Sequence, residues 1–186
     1  RRIQRFFLGG IVGLGGMAIV LSLVLPSSGG RHLGGGGALG GHVDTSAEEG
    51  VQVAIQGNEE IEVGQSHPAY STSPPTSGWL YNIPLEEISW GIQGERVEDE
   101  AQVSYLQRGG IMVQYNCPDG CPELVEQLEL VVNRYPEGVV LAPNPDSGSA
   151  LALTSWGWID AFEEFDDPRI DDFIQTHIGQ GPESFR

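Results

Sequence analysis

Lysine is absent from this 186-residue chain, and all nine basic residues are arginine. The absence of lysine excludes Schiff-base chemistry and a lysine general base. Basic residues of any kind are scarce beside the 26 acidic ones, and the formal net charge is −17. Without the three arginines at positions 1, 2 and 5, the rest of the chain carries a net charge of −20. Such a charge repels nucleic acid, so we expect no nucleic-acid partner.

Motifs of several enzyme classes are also missing. The chain has no G-x-S-x-G, P-loop or H-E-x-x-H pattern, and no G-x-G-x-x-G in a strand–helix context. Serine, histidine and aspartate occur without an arrangement typical of a catalytic triad. We therefore expect a protein that is not an enzyme, with no catalytic residue and no cofactor.

One long hydrophobic run lies near the N-terminus. Residues 6–25 contain no charged side chain, and about 20 apolar residues span a bilayer as a helix. Arginines precede the run, so the positive-inside rule keeps the N-terminus cytoplasmic. We expect a single-pass protein of the cell membrane, with its C-terminal domain on the periplasmic or extracellular side. A cleavable signal peptide is the alternative, although residues 26–29 form a poor cleavage site.

Small residues recur along one side of the predicted transmembrane helix. Gly9, Gly13 and Gly16 are spaced at i, i+4 and i+7. This spacing lets a second helix approach closely, so it predicts packing against other membrane-protein subunits within the lipid bilayer. Glycine is also common in membrane helices generally, and this is the alternative explanation of the pattern.

The sequence divides into three parts. Residues 1–26 are predicted as a cytoplasmic stub and transmembrane helix, residues 27–47 as a glycine-rich linker, and residues 48–186 as an extracytoplasmic domain. The domain is large enough for a core of its own. Alternation of apolar residues or short apolar runs predicts strands at residues 51–55, 61–63, 111–115, 139–142 and 151–156.

Two helices are predicted in the domain, at residues 122–134 and 168–177. The first repeats apolar side chains at helical spacing and has Pro122 in its first turn. The order strand, helix, strand, strand, helix predicts an α+β fold, a small mixed α/β domain. Trp156 and Trp158 are two residues apart on a predicted strand, so we expect them to share a face.

The chain has only two cysteines, Cys117 and Cys121. Two cysteines outside the cytoplasm usually pair, and Pro118 and Gly120 allow the short loop between them to close. The first interpretation is a structural disulfide that holds the start of the following helix. A metal site and a redox pair are the alternatives. The metal site needs additional ligands, and a redox pair more often has two intervening residues.

Short motifs rich in proline, glycine and aromatic residues follow one another in a particular order: Pro74–Gly78 (PPTSG), Trp90-Gly91, Leu106, Gly109, Tyr115, Cys117–Cys121, Trp156-Gly157, Phe173 and Gly181-Pro182-Glu183. In these motifs and their order, residues 66–186 resemble a bacterial family of membrane-anchored proteins called domain of unknown function 3105. The resemblance implies that the chain keeps the scaffold of that family.

The chain departs from the family pattern at its polar positions. The family has a histidine after PPTSG, where this chain has Trp79-Leu80. The family motif H-x-L-E-H-G has its histidines at Ser104 and Arg108 of this chain and its glutamate at Gln107. Three histidines and a carboxylate resemble a transition-metal site. Since this chain lacks each of these ligands, we expect no metal ligand here.

These observations predict a non-catalytic accessory subunit of a bacterial multi-subunit membrane complex. Respiratory and photosynthetic electron-transfer complexes are the candidate hosts. One alternative is an extracytoplasmic metal-handling or redox protein that uses Cys117 and Cys121. Another is a docking surface for a cationic soluble electron carrier, attracted by the negative charge of the domain.

Overall fold

The structure, a computed structural model, describes residues 50–185. The membrane anchor predicted at residues 6–25, with Gly9, Gly13 and Gly16, lies outside the described residues, as does the linker predicted at residues 27–47. Within residues 50–185, no helix combines the length and the apolar character needed to cross a membrane. This part of the chain forms a small mixed α+β domain, as the sequence predicted.

Residues 50–185 contain eight strands and three α-helices. The strands are β1 (Val51–Gln52), β2 (Glu60–Ile61), β3 (Leu80–Tyr81), β4 (Gly91–Ile92), β5 (Ile111–Tyr115), β6 (Val139–Pro143), β7 (Leu151–Ser155) and β8 (Trp158–Phe162). The helices are α1 (Asp99–Gln107), α2 (Pro122–Val132) and α3 (Asp167–His177). The strands β5, β6 and β7 and the helices α2 and α3 confirm the corresponding sequence predictions to within two residues at each end.

Six strands form one sheet in the order β1-β8-β7-β5-β6-β4. The strands β4, β5 and β6 run parallel, whereas β1, β8, β7 and β5 pair antiparallel in turn. The helix α2 joins the parallel neighbours β5 and β6, a βαβ crossover. Because helices cover both faces at its centre, strands such as β6 are continuous apolar runs. The strands β2 and β3 form a separate parallel pair.

Two clusters of buried side chains lie on opposite faces of the sheet. On one face, Ile111 and Val113 of β5 pack in the larger cluster with buried residues of α2 and α3. On the other face, Met112 packs with Leu106 of α1 in a smaller cluster. The alternation along β5 therefore separates an α2–α3 side from an α1 side.

The prediction that Trp156 and Trp158 share a face was wrong. The strand β7 ends at Ser155, and the chain reverses through Trp156 and Gly157, where φ is +77°. Trp156 packs in the cluster on the α1 side. Trp158 begins β8 and packs on the opposite side, with its ring centroid 4.7 Å from that of His177. The tight turn moves the two side chains to different cores.

The N-terminal strands also differ from the prediction. Each of the two observed strands has only two residues: β1 lies at the start of the strand predicted at residues 51–55, and β2 overlaps the strand predicted at residues 61–63 by one residue. These strands do not pair with each other, since β1 pairs with β8 and β2 with β3. The apolar alternation at residues 51–55 and 61–63 therefore located these strands approximately, but the prediction made them too long.

The last described residues form a C-terminal strap, residues 179–185, across the end of α1. The backbone N–H groups of Glu183 and Phe185 donate to the carbonyl oxygens of Gln107 and Arg108, each at 3.0 Å. The Glu183 carboxylate accepts hydrogen bonds from Arg108 Nη1 at 2.5 Å and from Gln107 Nε2 at 3.2 Å. The strap therefore covers the C-terminus of α1 and satisfies backbone acceptors that the helix leaves open.

Close packing of the strap predicts that Gly181→Ala destabilises the domain. A Cβ at position 181 would lie 2.6 Å from the carbonyl oxygen of Leu106, closer than real contacts allow. We expect a loss of about 1–3 kcal/mol in the free energy of unfolding, as for other overpacked sites. Urea unfolding of the purified full chain, followed by tryptophan fluorescence, measures this loss.

Gly148→Ala is the matched control. A Cβ at position 148 meets no heavy atom of residues 50–185 within 4 Å. We expect its unfolding midpoint to equal that of the wild type or to rise slightly, because alanine restricts the unfolded chain. Equal midpoints for both variants would show that the strap does not pack against α1 as described.

Candidate functional site

The PPTSG segment, residues 74–78, is a buried plug on the α1 side of the domain. Backbone carbonyl oxygens of the plug accept hydrogen bonds from Gln102 Nε2 at 2.8 Å and from the Gly157 N–H at 3.1 Å. The Ser77 hydroxyl accepts one from the Gln56 N–H at 2.9 Å. The plug thus fastens α1 to the β7–β8 turn and to the N-terminal segment, and it acts as scaffold.

Two of the positions that the sequence analysis matched to histidines of the family pattern, the Trp79-Leu80 region and Ser104, lie close together beside this plug. Leu80, in β3, is 1% exposed and belongs to the hydrophobic core. Ser104, in α1, donates a hydrogen bond from its hydroxyl to the carbonyl oxygen of Tyr81, the other residue of β3. The same hydroxyl lies 2.9 Å from the carbonyl oxygen of Glu100. Leucine and serine here join β3 to α1 and do not form a ligand set.

The other two positions of the motif resemblance contact the C-terminal strap. Gln107 and Arg108 both donate side-chain hydrogen bonds to the carboxylate of Glu183. The Arg108 side chain is 23% exposed. Gln107 and Arg108, which the sequence analysis matched to a glutamate and a histidine of the family motif, therefore hold the C-terminal strap through an amide and a guanidinium.

A histidine that the sequence analysis did not place in any site, His67, lies at the N-terminal end of α1. Its Nε2 atom is 2.8 Å from Glu100 Oε1, and its Nδ1 atom is 2.8 Å from the carbonyl oxygen of Pro68. Its ring stacks on Trp79 with centroids 5.0 Å apart and meets the edge of Tyr70, also at 5.0 Å. We call these side chains of His67, Tyr70, Trp79 and Glu100 the histidine cluster.

The electrostatics of the histidine cluster favour a charged pair. The hydrogen bond with Glu100 raises the pKa of His67 above its ordinary value, and burial opposes this only in part. Burial acts to raise the pKa of Glu100, but the hydrogen bond with His67 and other favourable interactions hold it below its ordinary value. Burial raises the pKa of Tyr70, whose hydroxyl donates to the Trp79 carbonyl oxygen at 2.6 Å. The tyrosine stays a neutral donor.

The histidine cluster adjoins Leu80 and Ser104. Trp79 precedes Leu80, and Glu100 lies one helical turn before Ser104. One imidazole and one carboxylate can share a proton, but they supply too few ligands for a typical zinc site. Within residues 50–185, no group of three or more His, Cys, Asp and Glu side chains is placed to hold a metal ion.

The cysteine pair lies at a different place, between β5 and α2. The structure joins Cys117 and Cys121 at disulfide distance, with their Cα atoms 5.8 Å apart. Cys121 is the N-cap residue of α2, and Pro122 occupies the first helical position. The structural interpretation, in which the pair holds the start of a helix, fits this placement.

A surface cavity of about 470 Å³ adjoins the disulfide, and we call it the disulfide groove. It is lined by Tyr115, Cys117, Gly120, Cys121, Pro122, Val125, Glu126 and Glu129. Closing a loop this short stabilises the fold by only about 2 kcal/mol in the chain-entropy description, against about 4.7 kcal/mol for a 100-residue loop. The disulfide therefore contributes little to stability, and it borders a mainly apolar groove that is open to solvent.

A family model, described as a protein of unknown function (DUF3105), matches residues 63–185. The chain belongs to the DUF3105 family. The match begins before the PPTSG plug and extends through α1, the disulfide groove and the C-terminal strap. Neither a curated protein nor a solved structure matches the chain. The family resemblance predicted from short motifs is therefore confirmed for this DUF3105 protein, and its function remains to be argued from the residues.

The histidine cluster predicts a pH-dependent contribution to stability. A raised His67 pKa stabilises the fold fully below the ordinary histidine pKa, about 6.5. That contribution is lost as the pH rises through the raised pKa. A lowered Glu100 pKa adds stability above its ordinary value, and this is lost as the pH falls through the lowered pKa. The pair therefore contributes most in weak acid.

We expect Glu100→Gln to lower the free energy of unfolding by about 1–2 kcal/mol in weak acid. The difference from the wild type should shrink on the alkaline side, above the raised pKa of His67. Urea titrations across a pH series measure it. Glu164→Gln, which removes an exposed carboxylate, is the control for net charge. A Glu100→Gln deficit that stays constant with pH would contradict the charged pair.

Proposed function

We propose that this DUF3105 protein is a non-catalytic accessory subunit of a bacterial multi-subunit membrane complex, with its domain on the periplasmic or extracellular face. The internal contacts of Leu80, Ser104, Gln107 and Arg108 carry this proposal. Side chains that join parts of the chain to one another are not positioned to bind a substrate or a metal. The DUF3105 domain would then serve to bind other subunits of the complex.

The charge and the predicted anchor support the same proposal. A net charge of −20 beyond the first arginines gives the domain a strongly anionic surface. Such a surface neither lies on an anionic leaflet nor binds nucleic acid. The hydrophobic run at residues 6–25 would hold the domain at the membrane. Gly9, Gly13 and Gly16 would let neighbouring transmembrane helices approach closely, and respiratory or photosynthetic electron-transfer complexes are the candidate hosts.

Gentle solubilisation of native membranes tests the proposal. We expect the tagged protein to migrate in native electrophoresis with other membrane subunits, well above the 20.0 kDa mass of the 186-residue chain. Migration as a free monomer without copurifying chains would contradict an accessory subunit.

Glycine substitutions in the predicted helix sharpen this test. We expect Gly13→Leu to weaken assembly severalfold, because leucine holds the neighbouring helix away. Gly15→Leu is the matched control, since Gly15 falls outside the face formed by Gly9, Gly13 and Gly16. Assembly that responds equally to both substitutions would contradict packing through that face.

A second candidate function is docking of a cationic soluble partner, such as an electron carrier, on the outer face of α2. This face presents the exposed carboxylates of Glu123 and Glu126. Leu130 lies one turn beyond Glu126 and is 66% exposed. An apolar side chain among carboxylates suits a basic partner with an apolar contact at its centre.

Salt dependence tests the docking function. We expect a basic c-type cytochrome, used as the probe, to bind the full chain with an affinity that falls at least tenfold between low and physiological ionic strength. Glu123→Gln together with Glu126→Gln should weaken binding, whereas Glu164→Gln should change it less. Binding that does not depend on salt, or equal losses in both variants, would exclude this face as the docking site.

A further inference from the structure

We propose that the Cys117–Cys121 disulfide undergoes thiol–disulfide exchange with a thiol on a positively charged partner segment. The reaction would take place in the disulfide groove and is independent of the identity of any host complex. Three observations support it: the accessibility of the pair, the charge of the groove and the position of Cys121 at a helix start.

The disulfide is accessible to a partner. Both cysteines line the groove of about 470 Å³ and are partly exposed. The three residues between them, 118–120, are exposed. Tyr115 and Val125 form an apolar wall beside the sulfur atoms. A purely structural disulfide in a core lacks such an approach, whereas exchange requires the attacking thiolate to reach one sulfur.

The charge of the groove selects the partner. Glu126 and Glu129 line it, and no basic side chain is among the described residues that do so. Asp119 and Glu123 follow nearby in the sequence and are exposed. These carboxylates attract a cationic thiol and repel an anionic one, because like charges at an exposed site lower the rate of encounter. The expected partner is therefore a pair of cysteines within a basic segment that also has apolar side chains.

The exchange balances in atoms and electrons. A partner thiolate attacks Cys117 Sγ, a new S–S bond forms between them, and the Cys117–Cys121 bond breaks. The bonding electron pair leaves on Cys121 Sγ, which becomes a thiolate. A second partner thiolate then attacks the partner sulfur of the mixed disulfide. This yields an oxidised partner disulfide and the reduced Cys117–Cys121 dithiol, so two thiols of the partner are the reductant.

The position of Cys121 at the start of α2 indicates which sulfur leaves as the thiolate. Cys121 is the N-cap of α2, and within residues 50–185 no side-chain hydrogen bond caps this helix. The N–H groups of the first turn and the helix dipole stabilise a thiolate at this position. Cys117 lies before the loop and lacks that stabilisation. Attack at Cys117, with release of Cys121, is therefore the favoured direction.

Three small thiols of different charge test the proposal on the oxidised full-length protein. The probes are cysteamine (cationic), 2-mercaptoethanol (neutral) and 3-mercaptopropionate (anionic), and each rate of reduction is divided by the rate at which the same thiol, at the same pH, reduces a small neutral disulfide. At low ionic strength we expect cysteamine to react about tenfold faster than 3-mercaptopropionate, with 2-mercaptoethanol between them. A pair that stays oxidised in millimolar cysteamine, or equal rates for the three thiols, would overturn the proposal.

Two double variants distinguish the effect of the carboxylates in the groove from the effect of the net charge of the protein. We expect Glu126→Gln together with Glu129→Gln to remove most of the preference for cysteamine. Glu163→Gln together with Glu164→Gln changes the net charge equally at exposed positions outside the groove, and the preference should persist. Loss of the preference in both double variants would overturn the role of the groove.

The direction of attack has its own readout. Exchange with cysteamine is stopped with acid, free thiols are alkylated, and peptides are analysed by mass spectrometry. We expect cysteamine on Cys117 and the alkyl group on Cys121. The reverse pattern would overturn the assignment of Cys121 as the leaving sulfur.

Discussion

The fold depends on the hydrogen bonds of one fully buried side-chain amide, that of Gln102 in α1. Its Nε2 atom donates to the Pro75 carbonyl oxygen at 2.8 Å and to Thr154 Oγ1 at 3.2 Å, and its Oε1 atom accepts from Gln114 Nε2 at 2.9 Å. A buried polar group without a partner costs about 1–3 kcal/mol. The PPTSG plug, β5 and β7 each supply a hydrogen-bond partner to this amide of α1, and moving any one of them away would leave the amide short of a partner.

This polar centre also explains which elements the sequence could predict. The strand β5 and the helix α2 bury apolar residues at a regular period, so their patterns were visible. The helix α1 buries Gln102, Ser104 and Gln107 on the side that meets the plug and the strap, and no apolar stripe marked it. Its acidic first turn, with Asp99, was the one available signal. The hairpin at Gly157 was missed because the apolar run continued through the turn.

The candidate sites were predictable to different degrees. The pairing of Cys117 and Cys121 was the first interpretation of their count and spacing, beside a metal site and a redox pair, because the two are near neighbours in sequence. The histidine cluster was not predictable, because His67 meets Glu100 across 33 residues and only the fold brings them together. The fold also shows what Ser104 and Arg108, two positions matched to histidines in the sequence analysis, do in this chain: Ser104 holds β3 and Arg108 holds the C-terminal strap.

The central claim, that these positions hold the chain together and bind no metal, is tested most directly by metal content. The full chain is purified from native membranes without chelators and analysed by inductively coupled plasma mass spectrometry. The account predicts far less than one transition-metal ion per chain, and the same value for His67→Ala. Stoichiometric copper or zinc that is lost in His67→Ala would contradict it, because the histidine cluster would then be a metal site.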